Sequence, residues 1–159
     1  MSPNEWQPPE QWVAGLPKHL ASAGSLFTDS AGRILLVKPN YRDHWLLVGG
    51  LLNEGESPEQ ACRREVKEEI GIDLPPGRLL LVDWTPPSSA RPLPLIEFIF
   101  EGDTIEPHQV KLDTGELDEH RFTPPEQAMS LLSNDGQRRL TDALRAQQTG
   151  TTLYRSGVR

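Results

Sequence analysis

A helix marked at both ends is the feature that most restricts how this chain folds. Ser57 is a good N-cap, Pro58 suits the first helical position, and Gln60 three residues on completes a capping box. Gly71 supplies a left-handed stop, so the spacing predicts one helix from Ser57 to Ile70. At about 100° per residue its side chains sort into three sectors. Cys62, Val66 and Ile70 recur at i, i+4, i+8 and make a narrow apolar stripe for a core. Arg63, Lys67 and, further round, Arg64 form a basic sector expected to point away from the rest. Glu65, Glu68 and Glu69 fall at i, i+3, i+4 and crowd one face.

Charged runs of this kind are usually solvated surface. Here the like charges repel by roughly 0.2–0.5 kcal/mol per pair, and no basic residue is expected to interleave with them. A divalent cation relieves the repulsion, and carboxylate oxygens are the hard ligands that magnesium or manganese takes. The acidic face is therefore read as a metal site.

Around that helix the chain reads Gly50, five residues, Glu56, seven residues, Arg64-Glu65-Val66, one residue, Glu68-Glu69, one residue, Gly71-Ile72. This pattern resembles the signature of the Nudix hydrolase family at every defined position. The resemblance implies an α/β fold, an α/β/α sandwich with a mixed β-sheet. It also implies magnesium-dependent (or manganese-dependent) hydrolysis of a diphosphate linkage in a nucleoside diphosphate derivative. The substrate would be of nucleotide triphosphate, nucleotide sugar or ADP-ribose type, a small molecule in each case. By similarity, Glu65 and Glu69 are the firmest metal ligands, Glu68 shares the cluster, and a backbone carbonyl at Gly50 completes the metal shell. Arg64 would orient the carboxylates and pair with Glu56. A further metal-binding or base glutamate is expected in a mobile loop near Glu116, with Glu119 its rival. Val48 stands where many members have proline, and Pro87 falls near a proline of ADP-ribose-cleaving relatives.

At 159 residues the chain has room for one domain with a real core. The boundaries expected are an arm over 1–20, the hydrolase domain over 21–148 and a peripheral tail over 149–159. The 36% hydrophobic content and mean hydropathy of −0.51 are low, and the 15 prolines mark long loops. No apolar run approaches a membrane span, and the N-terminus lacks the layout of a signal peptide. A single cysteine excludes an internal disulfide and fits a reducing cytoplasm. The net charge of −7 argues against nucleic-acid or anionic-membrane partners, and makes a phosphate-handling enzyme depend on its cation. Oligomeric state stays open, a homodimer being common in the family.

In chain order, Pro9–Ala14 reads as a short helix, and Trp6 and Trp12 are large enough to predict docking of the arm. Residues 22–28 and 33–38 read as a β-hairpin across Asp29-Ser30-Ala31-Gly32. The run Ile34–Val37 suits a strand covered on both faces. Trp45–Val48, Arg78–Trp84, Leu93–Glu101, Gln109–Leu112 and His120–Thr123 complete the predicted strands. A helix opens at Pro125 and runs to about Leu132, and a last amphipathic helix spans 135–147. Tyr41, Trp45 and Trp84 are core residues or base-stacking groups. Cys62 belongs to the core, and the four histidines have no ligand spacing. A second functional class fits the same motif, a non-catalytic nucleotide sensor. An isoprenoid diphosphate isomerase would need a catalytic cysteine elsewhere. The retained carboxylates favour the enzyme.

Overall fold

The structure is a computed structural model that describes residues 6–157. The first five residues of the expected arm and the last two of the tail lie outside the described residues. Helix α1 (Pro9–Ala14) precedes strands β1 (Leu20–Thr28), β2 (Ile34–Pro39) and β3 (Val48–Leu51). Helix α2 (Pro58–Ile70) follows, then β4 (Leu79–Thr85), β5 (Leu95–Thr104) and β6 (Leu117–Thr123). A short α3 (Pro125–Ala128), a long α4 (Asn134–Thr149) and β7 (Leu153–Ser156) end the chain.

The strands form one mixed sheet in the order β6-β2-β1-β5-β4-β7, with β3 paired to β1. Period-2 alternation splits the Ile34–Val37 run between two cores. Leu35 and Val37 join Ala23, Phe27, Cys62, Val66 and Ile70 beneath α2. Ile34 and Leu36 join Leu26, Leu81, Ile99, Leu140 and Ala143 beneath α4. The sheet is thus covered on both faces, as an α/β/α sandwich requires. Burying one such Leu or Ile side chain contributes about 1.5–3 kcal/mol.

Several local expectations change once the sheet is assembled. The β1–β2 hairpin opens at once, with Thr28 opposite Ile34 its only registered pair. Beyond that point β1 pairs in parallel with β5 and antiparallel with β3, while β2 pairs with β6. The third strand is the glycine segment Val48–Leu51 and not Trp45–Val48, because Gly49 and Gly50 lie directly against Gly24 and Ala23. Gln109–Leu112 forms no strand: Pro107–Gln109 is a 3₁₀ turn, and Lys111 N and Asp113 N donate instead to the Ile70 and Glu69 carbonyls at the end of α2. The helix at Pro125 stops at Ala128 and continues as a 3₁₀ turn, Met129–Leu131. The tail expected to be peripheral supplies β7, parallel to β4. The arm does not dock through its tryptophans: α1 buries no residue, and Trp6 and Trp12 are 83% and 58% exposed.

Candidate active site

Helix α2 forms as its caps dictate. Ser57 Oγ accepts from Gln60 N, the Gln60 side chain accepts from Ser57 N, and Gly71 takes the left-handed conformation at φ 73°. A capping interaction of this type contributes about 1 kcal/mol. The apolar stripe Cys62, Val66 and Ile70 is fixed on the core, which sets the rotation of the helix. That rotation turns Glu65 and Glu69 toward the β3 backbone.

Two glycines receive these carboxylates. The Gly49 N–H donates to Glu69 Oε2 at 2.9 Å. Gly50 lies beneath Glu65, whose carboxyl fills the place where a Cβ would stand. Gly49 itself sits at φ 153° with Ala23 and Gly24 of β1 pressed against its Cα. Gly49 and Gly50 therefore let strand β3 pass close to β1 and leave room for an acid above it.

Arg64 leaves the basic sector of the helical wheel and makes the pair with Glu56 that the family resemblance implies. Instead of pointing away, it reaches back into the acids and uses its planar fork on five acceptors. Nε and Nη2 bind Glu56 at 2.7 and 2.9 Å, Nη1 binds Glu65 Oε1 at 2.7 Å and Glu68 Oε2 at 3.0 Å, and Nη2 also binds the Leu51 carbonyl at 3.0 Å. Glu56 also accepts from the Asn53 N–H at 2.8 Å. The Arg64 hydrogen bonds, followed by that of Asn53, hold the Glu56 carboxyl down at about 2. Arg64 thus joins the loop before the helix to two of its acids.

Glu69 lies at the opposite extreme. Burial pushes its carboxyl up to about 8, against the Gly49 hydrogen bond, and the charges of Glu65, Glu116 and Glu68 push it the same way. Glu65 is also raised, by burial first, with Arg64 opposing and Glu68 and Glu116 adding. Glu116, distant in sequence, therefore acts on both helix acids. Backbone hydrogen bonds tie its loop to α2 and to the end of β2. Asp113 N donates to the Glu69 carbonyl, Leu117 N to the Asp113 carbonyl, and Asn40 N to the Glu116 carbonyl. Glu119 is drawn off instead into β6, opposite Lys38, and pairs with Arg121 at 3.0 Å.

The donor set fits a hard divalent cation: oxygen ligands, mutually repelling, and partly buried. Among the described residues no three Asp, Glu, His or Cys side chains close into a finished metal cage. Magnesium does not require one, since it is commonly held by one or two carboxylates, waters and substrate phosphates. Arg64 occupies Glu65 Oε1 and Glu68 Oε2, and Gly49 occupies Glu69 Oε2, which keeps these oxygens apart.

The remaining candidates fall into place. Cys62 is 1% exposed and burial pushes its thiol up to about 12, so it is a core residue and not a nucleophile. Trp45 is 7% exposed, with the Arg121 guanidinium 4.7 Å from its ring centroid, whereas Tyr41 is 68% exposed on the β2–β3 loop. Sequence reasoning missed a second charged group, Arg139 with Asp83, Thr85 and Glu97 beneath α4. Its one signal was Glu97, a charge inside the apolar run Leu93–Glu101.

A mixed sheet thus lies between helices, and a capped helix brings acids onto a glycine strand. A family model described as NUDIX domain matches residues 18–144, and the chain belongs to that family. The chain is 36% identical over 61 residues to an 8-oxo-dGTP diphosphatase of Proteus vulgaris, which is 36% of this chain and 54% of that protein. It is 40% identical over 55 residues to a dihydroneopterin triphosphate diphosphatase of Escherichia coli strain K12, 35% of this chain and 37% of that one. Both relatives are thus matched over part of their length. Among solved structures, the MutT protein of Methanosarcina mazei Go1 superposes with a TM-score of 0.67 at 25% identity, over 84% of this chain and 96% of that one.

Proposed function

We propose that this chain is a magnesium-dependent pyrophosphohydrolase that cleaves a diphosphate linkage in a small nucleotide derivative. The observation that carries the reading is the convergence of Glu65, Glu69 and Glu116 charges beside the Gly49-Gly50 strand, with Arg64 tying Glu56, Glu65 and Glu68 together. Glu65, Glu68 and Glu69 would hold the cation, with the Gly50 backbone beside them. The cation, when bound, neutralises the phosphate oxygens and activates a water. The chain itself supplies the rest. Arg64 fixes two acids by its hydrogen bonds, and Gly49 fixes the third. Glu116 approaches from the facing loop as a further acid available for metal or proton. The relatives' printed activities, on an oxidised guanine nucleotide and a pterin triphosphate, support a nucleotide-like diphosphate substrate. A chain with these acids suits a small-molecule enzyme better than a sensor, because a sensor has no use for a buried repelling cluster.

Substituting Glu69→Gln tests the reading. It keeps the acceptor for Gly49 N–H and removes the ability to ionise and bind the cation. Turnover of a nucleotide panel with magnesium should fall by roughly three orders of magnitude or more, with the thermal midpoint held or raised. Full turnover in that variant, or in EDTA, would overturn the assignment.

A further inference from the structure

On the sheet face opposite the acid cluster, a row of polar side chains crosses three adjacent strands beneath α4. Register places Ser22 of β1 beside Glu97 of β5, and Glu97 beside Asp83 of β4. Cross-strand partners share a face, so all three look toward α4. From α4, Arg139 spans the two acids. Its Nε donates to Asp83 Oδ2 at 2.7 Å, Nη2 to Thr85 Oγ1 at 2.9 Å, and Nη1 lies 2.8 Å from Glu97 Oε2. The proposed hydrolysis makes no use of this group.

The row is short of one donor. Asp83 is 1% exposed, and its Oδ2 takes both Arg139 Nε and the Thr85 hydroxyl, the latter at 3.3 Å. Its Oδ1 has no hydrogen-bond partner among the described residues, a costly state for a buried carboxylate oxygen. The neighbouring cations are engaged elsewhere. Arg155 of β7, whose charge reaches Asp83, binds both oxygens of Asp142 on α4. Arg138 binds Asp135 at 2.7 Å at the start of α4, and Arg42 of the β2–β3 loop acts on Glu97 through its charge.

Glu97 itself remains. It lies beside Asp83 on the same guanidinium, with its side chain 19% exposed. Thr85 already spends its proton on Oδ2, so the carboxyl of Glu97 is the group that can supply a donor, by keeping its own proton. Burial pushes that carboxyl up, against the charge of Arg139. Asp83 and Asp135 push it the same way as burial, and Arg42 opposes them.

We propose that Asp83 and Glu97 share one proton, carried by Glu97 and directed at Asp83 Oδ1, and that this proton is a pH-sensitive latch between α4 and strands β4 and β5. With the proton in place, Glu97 accepts from Arg139 through one oxygen and donates to Asp83 through the other. One guanidinium then balances one negative charge. Base takes the proton to solvent and leaves two carboxylates facing each other on adjacent strands, so α4 loses part of its hold on the sheet. The folded value lies above the ordinary 4.5, so between the two the folded chain binds more protons than the unfolded one. The stability from this proton is full below pH 4.5 and is lost as pH rises through the folded value.

The test begins on the whole native chain. Carboxyl carbon-13 NMR follows the titration of Glu97, whose midpoint should lie above the ordinary 4.5. In Asp83→Asn the charge that favours the proton is gone, and the Glu97 midpoint should fall toward 4.5. Glu97→Gln offers the same donor and acceptor as the protonated acid and does not ionise. Above pH 4.5 the thermal midpoint of the native protein should drop relative to that variant by roughly 3–5 °C per pH unit, until Glu97 is ionised. Glu65 and Glu69 titrate in both proteins, so their effect cancels in the difference. A native Glu97 midpoint at 4.5 or below, a midpoint unmoved by Asp83→Asn, or parallel thermal curves for the native protein and Glu97→Gln would each overturn the proposal. If either variant fails to fold, the native titration decides alone.

Discussion

The carboxyl of Glu65 rests on the bare Cα of Gly50: a methyl there would stand 2.5 Å from Glu65 Cδ and 2.6 and 2.7 Å from its oxygens. The helix acid and the strand glycine are therefore one unit. The fit is what brings the acid of α2 against β3, and it makes the glycine a determinant of carboxylate position.

Gly50→Ala should move Glu65 without unfolding the protein, because the obstructing atoms end a side chain. Turnover should fall about 100-fold, since a displacement near 1 Å at a reacting centre has that effect. Gly49→Ala should behave differently. Its Cβ would meet the backbone of Ala23 and Gly24 at 2.4 and 2.5 Å, at a φ of 153°. A loss of about 3 kcal/mol or more is expected there. Denaturant unfolding and steady-state kinetics on both variants separate the two cases.

Arg64→Lys should not be conservative. Lysine presents a point charge and cannot span Glu56, Glu65, Glu68 and the Leu51 carbonyl at once. kcat/KM should drop by about 10–100-fold, the usual loss when a residue orienting metal ligands is removed. Magnesium titration of activity should show a weaker apparent affinity. Native-like activity and affinity would deny Arg64 its orienting role.

Acid should uncover the Glu56 contact. Its folded value of about 2 lies below the ordinary 4.5, so the unfolded chain binds more protons between those limits. The stability Glu56 provides is full above pH 4.5 and is lost as pH falls toward 2. Thermal midpoints of the native protein and Glu56→Gln should therefore differ by a steady amount from pH 7 to 5. The gap should close by pH 2. A gap that persists at pH 2 would assign the effect to packing.

Cys62 should report on unfolding. With the thiol pushed up to about 12 and 1% exposed, almost no thiolate forms at pH 8 and no reagent reaches it. A disulfide reagent should leave the native protein unlabelled for as long as it stays folded, then react fully in denaturant. Prompt labelling of the native form would place the side chain outside the core.

The sequence by itself determined α2. Its caps at Ser57, Gln60 and Gly71, its apolar stripe and its acids all lie within one helix, where contacts are three or four residues apart and repeat with the helical period. The two-sided burial of Ile34–Val37 was legible for a similar reason, as an unbroken local apolar run. Only the tertiary structure decided the strand partners of β1, the place of β7 and the depth of the β1–β2 turn. Those pairings join segments far apart in the chain, and local propensity carries no information on register. It also decided that Glu116, not Glu119, acts on the helix acids, since this depends on where β6 begins. The helical wheel alone turned Arg64 outward, because it does not contain Glu56, eight residues away; the signature spacing did imply that pair. The row of Glu97, Asp83 and Arg139 was invisible for the same physical reason: three distant segments meet there only when the sheet closes and α4 is laid across it.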